Sequence, residues 1–159
     1  AKQAIDDALK AKEAAINANN DLTDEEKAKA KQEAQDKAAA AKQAIDNATT
    51  NAGVDQAKAN GTTEVNNVNP TAVAKPAAKK AIDDALKAKN DAIDARDNLT
   101  AEEKIAAKEE AKAKADAAKT AIDNATTNDA VTQAKNDGAA SVSSKCIFSD
   151  SNSSSQTSS

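Results

Sequence analysis

Apolar residues recur along this chain at spacings of three and four, and the pattern stops wherever Asn, Asp, Thr or Pro gather. That is the period of amphipathic helices separated by caps and turns. Ile5, Leu9 and Ile16 share a face with Ala8 and Ala15, which predicts a first helix over about residues 1–20. A second, over about 24–49, sets Ala34, Ala38, Ala41, Ile45 and Ala48 at intervals of 4, 3, 4 and 3, a seam shaped for neighbouring helices. A third, over about 52–68, carries Val54, Ala57, Gly61, Val65 and Val68. A glycine inside a helix costs about 1 kcal/mol against alanine, so Gly61 either admits a close neighbour or marks a kink.

The helix ends have their own chemistry. In Leu22-Thr23-Asp24-Glu25-Glu26 the threonine and the glutamate three positions on predict a capping box, preceded by a leucine at the staple position. After the second helix, Ala44–Asn51 reads Ala-Ile-Asp-Asn-Ala-Thr-Thr-Asn, with Thr50 or Asn51 placed to cap the third. Pro70 and Pro76 then bracket a stretch that predicts a linker over 70–77.

The whole pattern occurs twice. Shifted by 77 residues without a gap, the chain matches itself at roughly 60% of its first 67 positions. The second copy, 78–144, predicts helices over about 77–97, 101–126 and 129–143, with Ile82, Leu86, Ile93, Ile122, Val131 and Val142 on the seam and Thr100 with Glu103 as the second capping box. Ala121–Asn128 repeats the Ala44–Asn51 joint letter for letter. The match ends after Ser144, and a Ser-rich stretch, 145–159, predicts a disordered tail. The expected fold is all-α: two tandem antiparallel three-helix bundles, 1–69 and 78–144, forming an elongated rod.

Composition narrows the chemistry. Alanine supplies 42 of 159 residues, while Ile, Leu, Val and Phe together supply 19, so the core is thin and built largely from methyl groups. With 22 basic and 26 acidic residues, the net charge of −4 is too small to keep the chain unfolded by repulsion. Acid–base pairs at helical spacing, Asp6–Lys10, Glu25–Lys29, Glu33–Lys37 and Glu110–Lys114, add a few tenths of a kcal/mol each. There is no His, Trp, Tyr or Met, and the single Cys146 and single Phe148 both lie in the tail. A disulfide framework and a Cys/His zinc site are thereby excluded, and no basic stripe for nucleic acid or apolar run for a membrane is present.

No catalytic, cofactor or metal residues are expected. Asp6-Asp7 and Glu25-Glu26 point about 100° apart on solvated helix faces and lack a pocket that would tune their pKa. The oxygen-rich stretch around Asp21 lacks the ligand spacing and glycine of a calcium loop, so capping is its expected role. Cys146 has no histidine to activate it. The glycosylation-type triplets at Asn47, Asn60, Asn98, Asn124 and Asn152 follow from the Asn and Thr that helix ends favour.

The Leu-Thr-x-Glu-Glu-Lys turn, the Ala-Ile-Asp-Asn-Ala-Thr-Thr-Asn joint and the glycine-to-Val-Asn-Pro ending resemble the domain-of-unknown-function repeat family 1542 of Gram-positive cell-surface proteins, and more loosely the FIVAR and GA three-helix modules. The resemblance covers nearly all of residues 1–144 and implies a repeat of a wall-associated, extracellular protein concerned with adhesion, aggregation or biofilm formation. It implies no catalytic residue. The chain opens inside a helical pattern, as an excerpt from a longer protein would, with any anchor outside it. The expected role is a spacer in a surface stalk, with neighbouring repeats as its partners. Two alternatives stand beside it. One is weak multivalent binding of host matrix or plasma proteins such as fibronectin, although Arg96 is the only residue of the repeats among the Trp, Tyr and Arg that dominate hot spots. The other is a desiccation-protective chain, disordered in water. A cooperative circular dichroism melt is expected; a featureless coil would favour the last alternative.

Overall fold

A computed structural model describes residues 1–144, and the expected tail, with Cys146 and Phe148, lies outside the described residues. The described residues form six helices: α1 Lys2–Ala18, α2 Asp24–Asn47, α3 Asn51–Asn66, α4 Ala74–Asp94, α5 Ala101–Asn124 and α6 Asn128–Ser143. They divide into two units, Ala1–Ala72 and the part beginning at Val73. Within each unit all three helices pack against one another, α1–α2–α3 and α4–α5–α6. Both are antiparallel three-helix bundles, so the chain is all-α and duplicated.

In the first bundle the main core consists of Ile5, Ala38, Ala41, Ile45 and Val65, with Leu9, Val54, Ala8 and Ala57 partly buried against it. A second cluster, Ile16, Leu22 and Ala30, lies where α1 turns into α2. The second bundle repeats both. Ala78, Ile82, Ala115, Ala118, Ile122, Val131 and Val142 form its main core, with Leu86 partly buried, and Ile93 and Ala107 form the smaller cluster with Leu99. All eleven residues buried between Ile5 and Val65 recur identically 77 positions later, so every difference between the copies falls on a part-exposed or exposed position of the first.

Gly61 is a close-approach residue. A Cβ added there would overlap the Ala41 methyl and lie 2.9 Å from Ile5 Cδ1; at Gly138 it would overlap the Ala118 methyl and lie 3.0 Å from Ile82 Cδ1. The helix is continuous through both glycines.

The stretch 70–77, expected as linker, is half helix. The N-cap of α4 is Val73, and Pro76 is its third helical residue. Proline is tolerated there because the first-turn N–H groups have no partner inside the helix. One turn of α4 thus precedes the sequence repeat, and within it Lys75 is buried, only 4% exposed, its Nζ donating to Asp123 O at the C-terminus of α5 at 2.8 Å. At its other end α4 stops at Asp94 rather than near 97.

Gly61→Ala should destabilise the chain by about 1–2 kcal/mol, the steric loss outweighing the gain in helix propensity. Gly53→Ala should be neutral or stabilising by up to about 1 kcal/mol, since the second copy already carries Ala130 at that position. Urea denaturation of the two variants reads the opposite signs.

Candidate functional site

The residues singled out as caps and seam form a structural frame, and it is built twice. Thr23 Oγ1 accepts from Glu26 N–H at 3.3 Å while Glu26 Oε1 accepts from Thr23 N–H at 3.0 Å. At Thr100 and Glu103 the same two bonds are 3.2 and 3.0 Å. Each box satisfies first-turn donors that have no helical partner, and Glu25 with Glu26, like Glu102 with Glu103, adds negative charge at the positive end of the helix. Thr50 and Thr127 cap α3 and α6, accepting from Gly53 and Ala130 N–H, each at 3.0 Å. Asn47 and Asn124 are the exposed last residues of α2 and α5.

Seam residues Ile5, Ile16, Ile45, Val65, Ile82, Ile93, Ile122, Val131 and Val142 are buried. Leu9, Leu86 and Val54 lie at the core edge, part-exposed. Leu22 precedes its cap as expected but packs on Ile16 and Ala30, because the staple position one turn on is occupied by Lys27.

The charged side chains clamp helices together in a way that spacing along one helix does not reveal. Lys2 pairs with Asp46 and Lys42 with Asp6, tying α1 to α2. Their counterparts, Lys79–Asp123 and Lys119–Asp83, tie α4 to α5. Asp6 therefore bridges to Lys42 on the next helix rather than to Lys10, whereas Glu110–Lys114 forms within α5 at 3.3 Å. Just past each capping box a lysine reaches back to the preceding helix: Lys27 Nζ donates to Asn17 O at 3.0 Å and Lys104 Nζ to Asp94 O at 3.1 Å. A cation thus sits at the negative end of α1 and of α4. These contacts join residues 10 to 44 positions apart, and the only sequence signal for them is that lysine and aspartate recur together in both copies.

Two surface grooves complete the picture. One, about 500 Å³, lies between α5 and α6 over small residues including Ala117, Ala121, Ala134 and Gly138. The other, about 340 Å³, lies between α4 and α5 beside Leu86, Asn90, Lys112 and the exposed Ile105. At the corresponding place in the first bundle Gln35 Nε2 donates to Glu13 Oε1 at 2.7 Å, linking α1 to α2. In the second bundle Lys112 turns along its own helix to Asp116. The hydrogen bond from Lys112 holds the Asp116 carboxyl below the usual carboxylate range, and the same bond holds the Lys112 ammonium above its ordinary value. This pair's contribution is present above the ordinary Asp pKa and lost as pH falls through the lowered one. At the alkaline end it is lost as pH rises through the raised lysine value. Among the described residues no cluster of three His, Cys, Asp or Glu could hold a metal ion, and no helix is long and apolar enough to cross a membrane.

Thr23→Ala should cost about 1–2 kcal/mol, because Thr23 is fully buried and the Glu26 N–H loses its acceptor where water cannot replace it. Thr100→Ala, at an exposed position, should cost about 0.5–1 kcal/mol. Thermal denaturation of the two variants tests the order.

No curated protein and no solved structure matches the chain. A family model does, twice: the Domain of Unknown Function (DUF1542) matches residues 1–73 and again 74–145, meeting where the first unit gives way to the second. The matches span nearly the whole chain, and with the duplicated caps, ion pairs and glycine contacts they make it a tandem pair of modules belonging to the DUF1542 family.

Proposed function

We propose that these modules are non-enzymatic spacers in the stalk of a bacterial cell-wall-associated surface protein, holding an adhesive region away from the cell in adhesion, aggregation or biofilm formation. The observation that carries this reading is the gapless duplication: two copies of one bundle keep every buried residue between Ile5 and Val65, and each difference in that span falls on a part-exposed or exposed position. Selection on a spacer acts on folding and length, and it leaves the surface free except where charge keeps it soluble. The abundance of Lys, Asp and Glu on the helix faces and the scarcity of aromatic anchors support the same reading.

A stalk adds length with each module. The longest helices here have 24 residues, about 36 Å at 1.5 Å per residue. A compact chain of 159 residues would have a radius of gyration of about 15 Å. Small-angle scattering should give a clearly larger radius and a maximum dimension of about 70 Å or more. A compact particle would overturn the stalk reading.

A further inference from the structure

Two of the three glycines in the chain, Gly61 and Gly138, follow Asn60 and Asp137, at the same place in each bundle. In these dipeptides a backbone nitrogen readily attacks the side chain before it, because glycine has no Cβ to hinder the approach. Asn60 and Asp137 are exposed, while Gly61 and Gly138 are buried. An electrophile at the surface thus adjoins a nitrogen held in the core.

The folded bundle keeps these partners apart. Gly61 lies inside α3, where its N–H is committed to the carbonyl four residues back. The Asn60 side chain is drawn the other way, toward the helix N-terminus, with Gln56 Nε2 donating to Asn60 Oδ1 at 2.9 Å. In the second bundle Gln133 Nε2 donates to Asp137 Oδ1 at 2.8 Å. Ring closure needs the backbone at Asn60 to leave the helical region, and α3 has no break there. The Ala41 and Ile5 side chains against Gly61 hold the same backbone in place.

We propose that Asn60 is a deamidation site that is closed in the folded bundle and reacts only when the first bundle opens. In the opened chain the Gly61 nitrogen gives up its proton and bonds to Asn60 Cγ. The Cγ–Nδ2 bond breaks, ammonia leaves, and a five-membered succinimide remains. Water then adds to one of the two ring carbonyls, and the bond from that carbon to the Gly61 nitrogen breaks. Attack at Cγ gives aspartate. Attack at the backbone carbonyl gives isoaspartate, whose main chain runs through Cβ and Cγ. The balance is one water consumed and one ammonia released.

The two products differ in what they do to the fold. Aspartate is already accepted, since Asp137 stands at this place in the second bundle with the same glutamine beside it and Gly138 seated on Ala118. Its carboxylate, a poorer electrophile than an amide, enters the same ring more slowly. Isoaspartate inserts one carbon into the main chain directly before Gly61, where there is no room for an added carbon against Ala41. The extra atom also breaks the helical spacing of the backbone. An isoaspartyl chain cannot rebuild the contact between α2 and α3, so opening leaves a one-way mark on the first bundle.

The test holds the full chain in warm neutral buffer, with and without enough urea to unfold it. Mass spectrometry follows the peptide carrying Asn60, with fragmentation that separates aspartate from isoaspartate. In urea Asn60 should convert, with isoaspartate among the products. In the folded chain conversion should be slower by at least about tenfold, because it waits on opening. A peptide of residues 56–64, too short to hold a helix, should react at one rate in both solutions. After urea is removed, the purified isoaspartyl chain should lack the nuclear Overhauser contact between the Ile5 methyl and Gly61. The Asn60→Asp variant should keep that contact. Asn60→Gln, whose longer side chain closes a larger ring only slowly, should pass through the same incubation and refold. Equal rates in the folded and unfolded chain, an isoaspartyl chain that regains the Ile5 contact, or an Asn60→Asp variant that lacks it would each overturn the proposal.

Discussion

The bundles depend on one contact, the seating of a bare glycine backbone against an alanine methyl. Gly61 faces Ala41 and Ile5, and Gly138 faces Ala118 and Ile82, with no room for a single added carbon. Three helices that bury mostly methyl groups cannot fill a wide core; they must come close together to exclude water. Alanine at 34, 38 and 41 along α2 lets the backbones approach, and glycine on α3 takes the approach one carbon further. Ile5 then lies across the junction and contacts what a larger residue would have displaced. The thin core and the glycine are parts of the same solution, since a leucine-rich seam would have needed neither.

Close approach also explains why charge can act as a clamp. Lysine and aspartate are short enough to meet across α1 and α2 only when the helices are near, and the same two cross-helix pairs appear in both bundles. Each pair is substantially exposed and contributes little by itself. Their value lies in register: opposite signs meet only when α1 and α2 slide to one alignment, which is the one that brings Ile5 together with Ala38, Ala41 and Ile45. Lys27 and Lys104 strengthen the same alignment from the other end.

Much of this was legible in the sequence, and the reasons are local. A threonine and a glutamate three residues apart specify a helix start, whatever the rest of the molecule does. The spacing of Ala34, Ala38, Ala41 and Ile45 specifies a face. The role of Gly61 was not legible, because a kink and a close neighbour leave the same letter. Asp6 was assigned to Lys10 because both lie on one helix; its partner Lys42 is 36 positions away, beyond any local rule. Pro70 and Pro76 were read as ending one helix and starting the next, and Pro76 does lie in the first turn of α4, which begins at Ala74, three residues ahead of the expected start. Spacing placed Val68 on the third helix, whereas α3 ends at Asn66 and Val68 is buried beyond it.

The joint at residues 48–50 has a consequence for how the chain finds its fold. Identical cores mean that packing alone cannot tell α3 from α6 as the partner for α1 and α2, and misassembly of this kind is the characteristic failure of repeat proteins. The joints at 48–50 and 125–127 settle the choice by connectivity. A three-residue tether keeps the proper third helix at high effective concentration, whereas its rival is held only by a far longer loop with a larger closure entropy. Where sequence identity removes discrimination by contacts, a short loop restores it by entropy.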